Sequence, residues 1–396
     1  MSTILGDIIT LGGGSGGSGG DEVWAAISVT YPEGSTCTAT NGTDTLTAAD
    51  TSGQVVFGIP EPASTPETWT VSCTDGTNSA EATASISAYG QNEAVTLAYA
   101  DAVLNNNSWA TISAIAKQGA GDAFWDVGDC KAITLNGKIG DYLTLSSTTL
   151  YVFILDFNHP INKSTADNNI IFGGFKTALT GGVDVALCDS GYGSNKSSGK
   201  YFNLNHVQVN TSVYNSNYGG WKGCDFRYDI LGATSTAPSP YNSSSKSTST
   251  TGTDATASTI SSPVSNTLMA ALPSDLRAVL RLWDRYVDFK GNSSNTDANC
   301  STKTVDAISL LAEFEIFGAR SYANQYEQNH QKQMAYYSAG NSKIKYKHNE
   351  TGTACRWWEA SASYSDAYSF CRVSTDGSAN YNNSRNSYGL APAFRT

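Results

Sequence analysis

The sequence predicts a β-rich α+β protein of at least two domains, and three observations lead there. Between residues 21 and 98, short runs alternate apolar and polar side chains and are divided by turn residues. Beyond residue 99 the pattern changes to helix-spaced apolar residues mixed with wholly apolar runs. A Gly/Ser tract, LGGGSGGSGG at residues 11–20, separates the first ten residues from everything else. At 396 residues the chain exceeds what one typical domain needs.

Taken in order, residues 1–20 read as a short apolar docking peptide on a flexible tether. Residues 21–98 hold WAAISVTY, STCTAT, QVVFGI, TWTVSCT, EATASISA and AVTLAY, with turns at Pro-Glu-Gly, Asn-Gly-Thr, Ser-Gly and Asp75–Gly76. Strands this short at this spacing predict an immunoglobulin-like β-sandwich, whose natural role is a spacer. Residues 99–396 open with Asn107 and Ser108, then Trp109, Ile112 and Ile115 at helical spacing, closed by Gly119. CKAITL and TLYVFILDF predict buried strands. Ser274 is expected to cap a helix carrying Leu276, Val279, Leu280 and Trp283 on one face. SLLAEFEIF leads into a second helical stripe of Tyr322, Tyr326, His330 and Tyr337, ended by Gly340. A Ser/Thr/Ala-rich insertion near 233–263 reads as a surface loop.

Composition bounds the function. Net charge is −11, so phosphate backbones would be repelled and nucleic acid is not an expected partner. No basic amphipathic stretch points to a membrane surface, and no apolar run is long enough to span a bilayer. The start lacks the charged and apolar regions of a secretory signal, so synthesis in a cytoplasm is expected. None of the eight cysteines forms a CxxC pair, which argues against zinc ribbons and thioredoxin-like chemistry. Buried free thiols are the simplest expectation, with Cys37 and Cys73 the best disulfide pairing.

Catalysis finds no foothold. His159, His206, His330 and His348 have no metal-ligand spacing and read as structural or solvent-facing. There is no GxSxG elbow, and FGGFKTALTGG lacks the order of a phosphate loop. Glu313 and Glu315 flank Phe314 on different helix sides, which predicts one buried structural carboxylate and no acid–base pair. No metal and no cofactor are expected.

Binding has a better claim. CRWWEA predicts a strand with Trp357 and Trp358 facing opposite sides. SFCRVS predicts a second, TDGS a hairpin turn at Asp376–Gly377, a third strand starts near Ala379, and GLAPAF is the last. These directions bring the loop Ser361–Ser369 and the segment Asn382–Tyr388 to the same end of one sheet. Both are built from Tyr, Ser, Asn and Asp, the alphabet of antibody loops. Turn chemistry alone does not account for Tyr364, Tyr368, Tyr381 and Tyr388 together.

The stretch from Cys355 to Thr396 resembles the C-terminal variable region of proteins diversified by retroelements. The resemblance rests on Trp357-Trp358-Glu359, Phe370-Cys371-Arg372-Val373, Asp376-Gly377 and Gly389-Leu390-Ala391-Pro392-Ala393-Phe394. Asn107–Asp129 and Leu310–Gly318 look like the same group, the latter like a helix of its formylglycine-generating-enzyme type. The likeness spans roughly residues 100–396. It implies a C-type-lectin-like fold for residues 99–396 with a variable region at 356–388. It also implies a bacteriophage receptor-binding or tail-fibre role, often as a trimer. By motif position it marks Ser363, Tyr364, Asp366, Tyr368, Asn380, Asn382, Asn383, Arg385 and Asn386 as ligand-facing. Ser365 and Tyr381 join them within the tips, and Arg372 from within a strand. The Glu-Pro-Asn and Trp-Asn-Asp motifs of calcium-dependent sugar lectins are missing, and Cys355 and Cys371 show no oxidase signature. The expected function is therefore non-enzymatic: recognition of a host cell-surface receptor from the virion, with other tail proteins bound through the N-terminus. A cell-displayed bacterial adhesin of the same fold is the alternative, and a polysaccharide-acting enzyme a more distant one.

Overall fold

The computed structural model describes residues 8–9, 23–205, 217–238, 252–289, 291 and 301–396. The chain divides into a unit of residues 1–101 and a unit of residues 102–396. The sequence pattern changes character close to that junction.

In the first unit the strands are β1 (Ile8–Ile9), β2 (Ala25–Thr30), β3 (Thr36–Thr40), β4 (Thr45–Thr47), β5 (Gln54–Ile59), β6 (Glu67–Thr74), β7 (Ser79–Ile86) and β8 (Asn92–Thr96). They form two four-stranded sheets, β1-β5-β2-β8 and β4-β3-β6-β7. Alternation sends Ile27, Val29, Phe57, Trp69, Val71 and Ile86 into one shared core. At the Asp75–Gly76 turn, Asp75 Oδ1 accepts from the Thr77 and Asn78 N–H groups, and Gly76 takes φ 88. Cys37 and Cys73 stand directly opposite on β3 and β6, yet both are free thiols, so the expected disulfide is not formed. Burial, then the neighbouring Cys73, pushes the Cys37 thiol up to about 12. Within the N-terminal peptide two residues are described. Ile8–Ile9 pairs in parallel with β5 of its own chain, where an open strand edge satisfies its backbone. The tether, residues 11–20, lies outside the described residues.

The second unit begins with α1 (Trp109–Gln118) and continues through β9 (Cys130–Ile139), β10 (Leu143–Phe157), β11 (Ile170–Lys176) and β12 (Asp184–Ala186). Next come α2 (Asp225–Asp229), α3 (Ala257–Ser261), α4 (Leu268–Ala271), α5 (Ser274–Arg277), β13 (Trp283–Asp288) and β14 (Ser301–Asp306). It ends with α6 (Glu313–Phe317), α7 (Ala335–Ser338), β15 (Lys345–Lys347), β16 (Glu350–Cys355), β17 (Trp357–Ala362), β18 (Ser369–Val373), β19 (Ala379–Asn383) and β20 (Ala393–Arg395). A seven-stranded sheet runs β16-β15-β12-β11-β10-β9, with β20 also on β11; β13-β14 and β17-β18-β19 are separate sheets. The protein is thus α+β and dominated by strands.

The α1 reading holds in detail. Ser108 Oγ accepts from the Thr111 N–H at 3.0 Å, and Gly119 ends the helix at φ 73. Trp109, Ile112 and Ile115 are buried, with the Trp109 ring edge-on to Phe172 and Phe394. The later helices are shorter than expected. Ser274 lies inside a four-residue helix whose cap position is Pro273, and Trp283 begins β13 instead of continuing a helical face. The Tyr322–Tyr337 stripe is broken into turns, one 3₁₀ turn at Glu327–Asn329 and α7. The Tyr322 and Ala323 N–H groups are held by buried Glu313 and the Ala335 N–H by buried Asp156, in place of helical hydrogen bonds. The insertion also departs from a plain surface loop. Residues 239–251 lie outside the described residues, but beyond them Ala255 and Thr259 are buried, and the Ala255 N–H donates to Val305 O at 2.9 Å.

Two buried ion pairs tie the helices to the β13-β14 hairpin. Arg285 on β13 grips Glu315 on α6 with both terminal nitrogens, at 2.7 and 2.6 Å. Arg227 on α2 donates to Asp306 on β14 at 2.5 Å, and Trp221 Nε1 donates to the other carboxylate oxygen at 2.7 Å. Removing Arg285 strands Glu315 without its cation, which costs about 3–5 kcal/mol. Ser108→Ala removes one cap bond, about 1 kcal/mol. Urea midpoints of the larger unit are therefore expected to fall much further for Arg285→Met than for Ser108→Ala; the reverse order would contradict these roles.

Candidate functional site

The site is built on β17-β18-β19. Strand β18 is central and buried along its whole length, β17 likewise, and β19 is half-buried as the edge. Trp357 packs into the main core with Phe153, Tyr337 and Val373, and its Nε1 donates to Lys343 O at 3.0 Å. Trp358 faces the other way, against the Tyr388 ring at 4.8 Å, with Nε1 donating to Phe202 O at 2.9 Å. Two adjacent indoles thus clamp the strand from both faces, each with its polar atom satisfied.

Antiparallel register then decides where the tips go. Ser369 pairs with Asn383, and Val373 with Ala379 across the turn at Asp376–Gly377. The Ser384 N–H donates to Tyr368 O at 2.9 Å, so the two tips are hydrogen-bonded to each other. The first tip is narrower than expected: β17 continues to Ala362 and Ser361 is buried within it, leaving Ser363–Tyr368 outside.

The candidate residues divide by environment. Tyr368 is 50% exposed and Ser365 is also exposed. Tyr364, Asp366, Tyr381, Asn382, Asn383 and Arg385 are half-buried toward the tip end, whereas Asn380, also half-buried, pairs with Arg372 next to the Asp376–Gly377 turn at the other end. Three others are corrected: Ser363 (1% exposed), Arg372 (7%) and Asn386 (9%) are buried and do not offer a ligand-facing surface, and Tyr388 (3%), grouped with the tip tyrosines in the sequence but not marked as ligand-facing, is buried too. Each has a framework task. Ser363 bridges to Ala323, and its Oγ pairs with Ser365 Oγ at 2.7 Å. Arg372 lies over Tyr388 and donates to Ser374 Oγ at 3.0 Å. Asn386 Nδ2 donates to Asn382 Oδ1 and Asn383 O, both at 3.1 Å. Tyr388 packs on Trp358 and takes a bond from Asn382 Nδ2 at 2.7 Å. The aromatic residues follow the framework, and the amides lock the second turn.

The sequence reading missed three contributors. Asn217, wholly buried, directs Nδ2 at Ser363 O, Asp366 O and Ser369 O (2.9, 3.0 and 2.9 Å), while its N–H donates to Ala367 O. It braces the first tip from nearly 150 residues away in sequence. The Tyr322 ring lies tilted against Tyr381, centroids 4.8 Å apart, and its carbonyl accepts from the Tyr364 N–H, and Arg320 lies over the Tyr364 ring at 5.8 Å. Those two belong to the patch, although Tyr322 opens the segment read as a helical stripe and Arg320 lies just before it.

Beneath the first tip lies a buried acidic cluster. Glu313 accepts from the Tyr322 and Ala323 N–H groups, so it holds the loop that carries Tyr322. Ser361 Oγ donates to Glu327 at 2.6 Å and accepts from the Glu313 N–H. Glu359, on β17, is wholly buried, and among the described residues no group donates to either oxygen. The expectation of one buried carboxylate at Glu313/Glu315 is thus corrected to two, because Arg285 and backbone N–H groups supply a partner for each. Burial, then Asp288, pushes Glu327 up to about 8. Burial raises Glu313 as well, and raises Glu359 well above the usual carboxyl range, with Glu313 and Glu327 adding to it. Among the described residues no group of three or more His, Cys, Asp or Glu is arranged to hold a metal ion.

His159 pairs with Asp156 at 2.7 Å, His348 Nδ1 accepts from the Cys188 N–H, and the His330 ring stacks on Tyr286. His206 lies outside the described residues. Cys371 sits on β18 opposite Tyr381, whereas Cys355 ends β16 in a different sheet, so these two do not pair as strand neighbours.

The acid cluster makes stability depend on pH. Glu327 titrates near 4.5 in the unfolded chain and near 8 when folded. Between those values the unfolded state releases a proton that the folded state keeps. Stability from this group is complete below the lower value and is lost toward the upper, by about 1.4 kcal/mol for each pH unit. Glu327→Gln keeps an acceptor oxygen and is expected to flatten the fall in melting temperature between about pH 5 and pH 8.5; an unchanged slope would mean that Glu327 is ionised in the fold. Asn217→Ala is expected to increase amide hydrogen exchange of residues 363–369 while β18 stays protected.

Residues 240–395 match a family described as a domain of unknown function (DUF6273). That span covers the β13-β14 hairpin and all of β17-β18-β19. No curated protein and no solved structure matches the chain.

Proposed function

We propose that this patch is the receptor-gripping end of a bacteriophage tail-fibre or tail-tip protein, binding a molecule on the surface of a host bacterium. In this reading residues 99–396 are a C-type-lectin-like domain of formylglycine-generating-enzyme-like type, and residues 21–98 are an immunoglobulin-like spacer joining it to the virion. One observation carries the reading: two tips of Tyr, Ser, Asn and Asp meet at one end of a sheet whose strands β17 and β18 are buried along their whole length. Partly exposed tyrosines supply contact area at low rotamer cost, and the surrounding amides and hydroxyls adapt to polar ligand groups.

The framework supports a role in which tip residues change and the scaffold does not. Trp357, Trp358, Phe370 and Cys371 are 1% exposed or less, while Ser365 and Tyr368 reach into solvent. Substitution at the exposed positions leaves the core contacts of β18 intact. A patch this small binds weakly on its own, so several copies on one particle, as in a trimeric fibre, would add avidity. The activity is binding without turnover.

Tyr368→Ala and Tyr364→Ala in the full chain are each expected to weaken binding to host surface extract about tenfold, roughly 1.4 kcal/mol. Melting temperatures should hold, since Tyr368 is half in solvent. Undiminished binding by both variants, or cleavage of the bound glycan, would overturn the reading.

A further inference from the structure

We infer that Cys188 and Cys355 are a disulfide-forming pair that staples the base of the tip-bearing sheet. Both thiols are buried in the main core cluster, alongside Trp357. The Cys188 residue follows β12, where the Leu187 N–H and carbonyl bond to Leu390. Cys355 closes β16, and the next residue, Arg356, accepts at its carbonyl from the Gly389 N–H at 2.8 Å. Gly389 and Leu390 are consecutive, so one short segment holds the chain neighbours of both cysteines, Leu187 and Arg356. Tyr192 joins them from the side, its hydroxyl accepting from the Arg356 N–H at 2.8 Å.

The two thiols are distinct chemically. The Cys188 Sγ lies 3.7 Å from Ala186 O, and contact with the Cys355 sulfur, then burial, pushes the Cys188 thiol up. The same contact, with Lys345 and Lys347 nearby, holds the Cys355 thiol below its ordinary range despite burial. The exchange is written with Cys355 attacking first, and the same balance holds with the two sulfurs interchanged. With a low-molecular-weight disulfide such as oxidised glutathione, Cys355 Sγ as thiolate attacks one glutathione sulfur. The S–S bond of the reagent breaks and one glutathione thiolate leaves. Cys188 Sγ then attacks Cys355 Sγ, and the second glutathione thiolate leaves with the Cys188 proton. Two protein thiols are oxidised by two electrons, and one glutathione disulfide becomes two thiols.

The consequence is mechanical. Cys355 is one residue from β17, so a bond to Cys188 ties the three-stranded sheet to the end of β12 in the seven-stranded sheet. It closes a long stretch of chain, the case in which a cross-link restricts the unfolded state most. Cys37 and Cys73, opposite each other in the first unit, serve as an internal comparison.

The full chain, reduced and then incubated with oxidised glutathione, is alkylated in denaturant and digested without reductant for mass spectrometry. A peptide pair joining Cys188 to Cys355, lighter by two hydrogens than its separate halves, is expected. The oxidised chain should melt about 10 °C higher than the reduced one, a gain absent in Cys188→Ser. Recovery of both residues as alkylated thiols, as separate glutathione adducts, or joined to other cysteines would overturn the proposal. Should Cys188→Ser not fold, the wild-type peptide map decides alone. The outcome is independent of whether the patch binds a host receptor.

Discussion

A strand buried on both faces governs this structure. β18 has no solvent-facing side along Ser369–Val373, with Trp357 and Trp358 of the neighbouring strand turned to opposite sides. A strand in that position tolerates little variation, since a change of even one methylene is felt in close packing. Its turns are under no such constraint. Polarity, hydrogen bonding and exposure all change within a residue or two of Ala362 and Asn383. The division between fixed frame and open tip is a consequence of where the core stops.

The frame extends beyond the sheet through buried polar groups. Asn217 satisfies three tip carbonyls, Glu313 takes two backbone N–H groups, and Ser361 links Glu313 to Glu327. Each replaces regular backbone pairing in a region poor in helix. Loops held this way are ordered without being hydrophobic, and ordered loops lose less entropy when a ligand is bound. Burial raises the carboxyls of Glu313, Glu327 and Glu359 alike, so the mechanical support of the tip is linked to burial.

Much of the site was readable in the sequence because strand direction is a counting problem. Once the Asp376–Gly377 turn and two flanking strands are recognised, the tips must emerge together. Exposure was not readable at the same resolution. Ser363, Asn386 and Tyr388 share the alphabet of the exposed positions but lie one side chain deeper. Arg372 carries a charge and is still covered, since Tyr388 sits beneath it. Composition reports what a side chain is able to do, and its depth is set by neighbours from elsewhere in the chain.

By itself the sequence determined the two-unit β-rich α+β organisation, the α1 helix with its Ser108 cap and Gly119 stop, the buried strands β9 and β10, and the convergence of the tips. All follow from local periodicity, capping and turn chemistry, which act over a few residues. The tertiary structure alone decided the rest. It broke the Tyr322–Tyr337 stripe into turns around buried carboxylates, brought Asn217, Arg320 and Tyr322 to the tips, and set Cys188 against Cys355. Those outcomes depend on contacts between residues distant in the chain, and no local pattern encodes a partner that arrives from another strand.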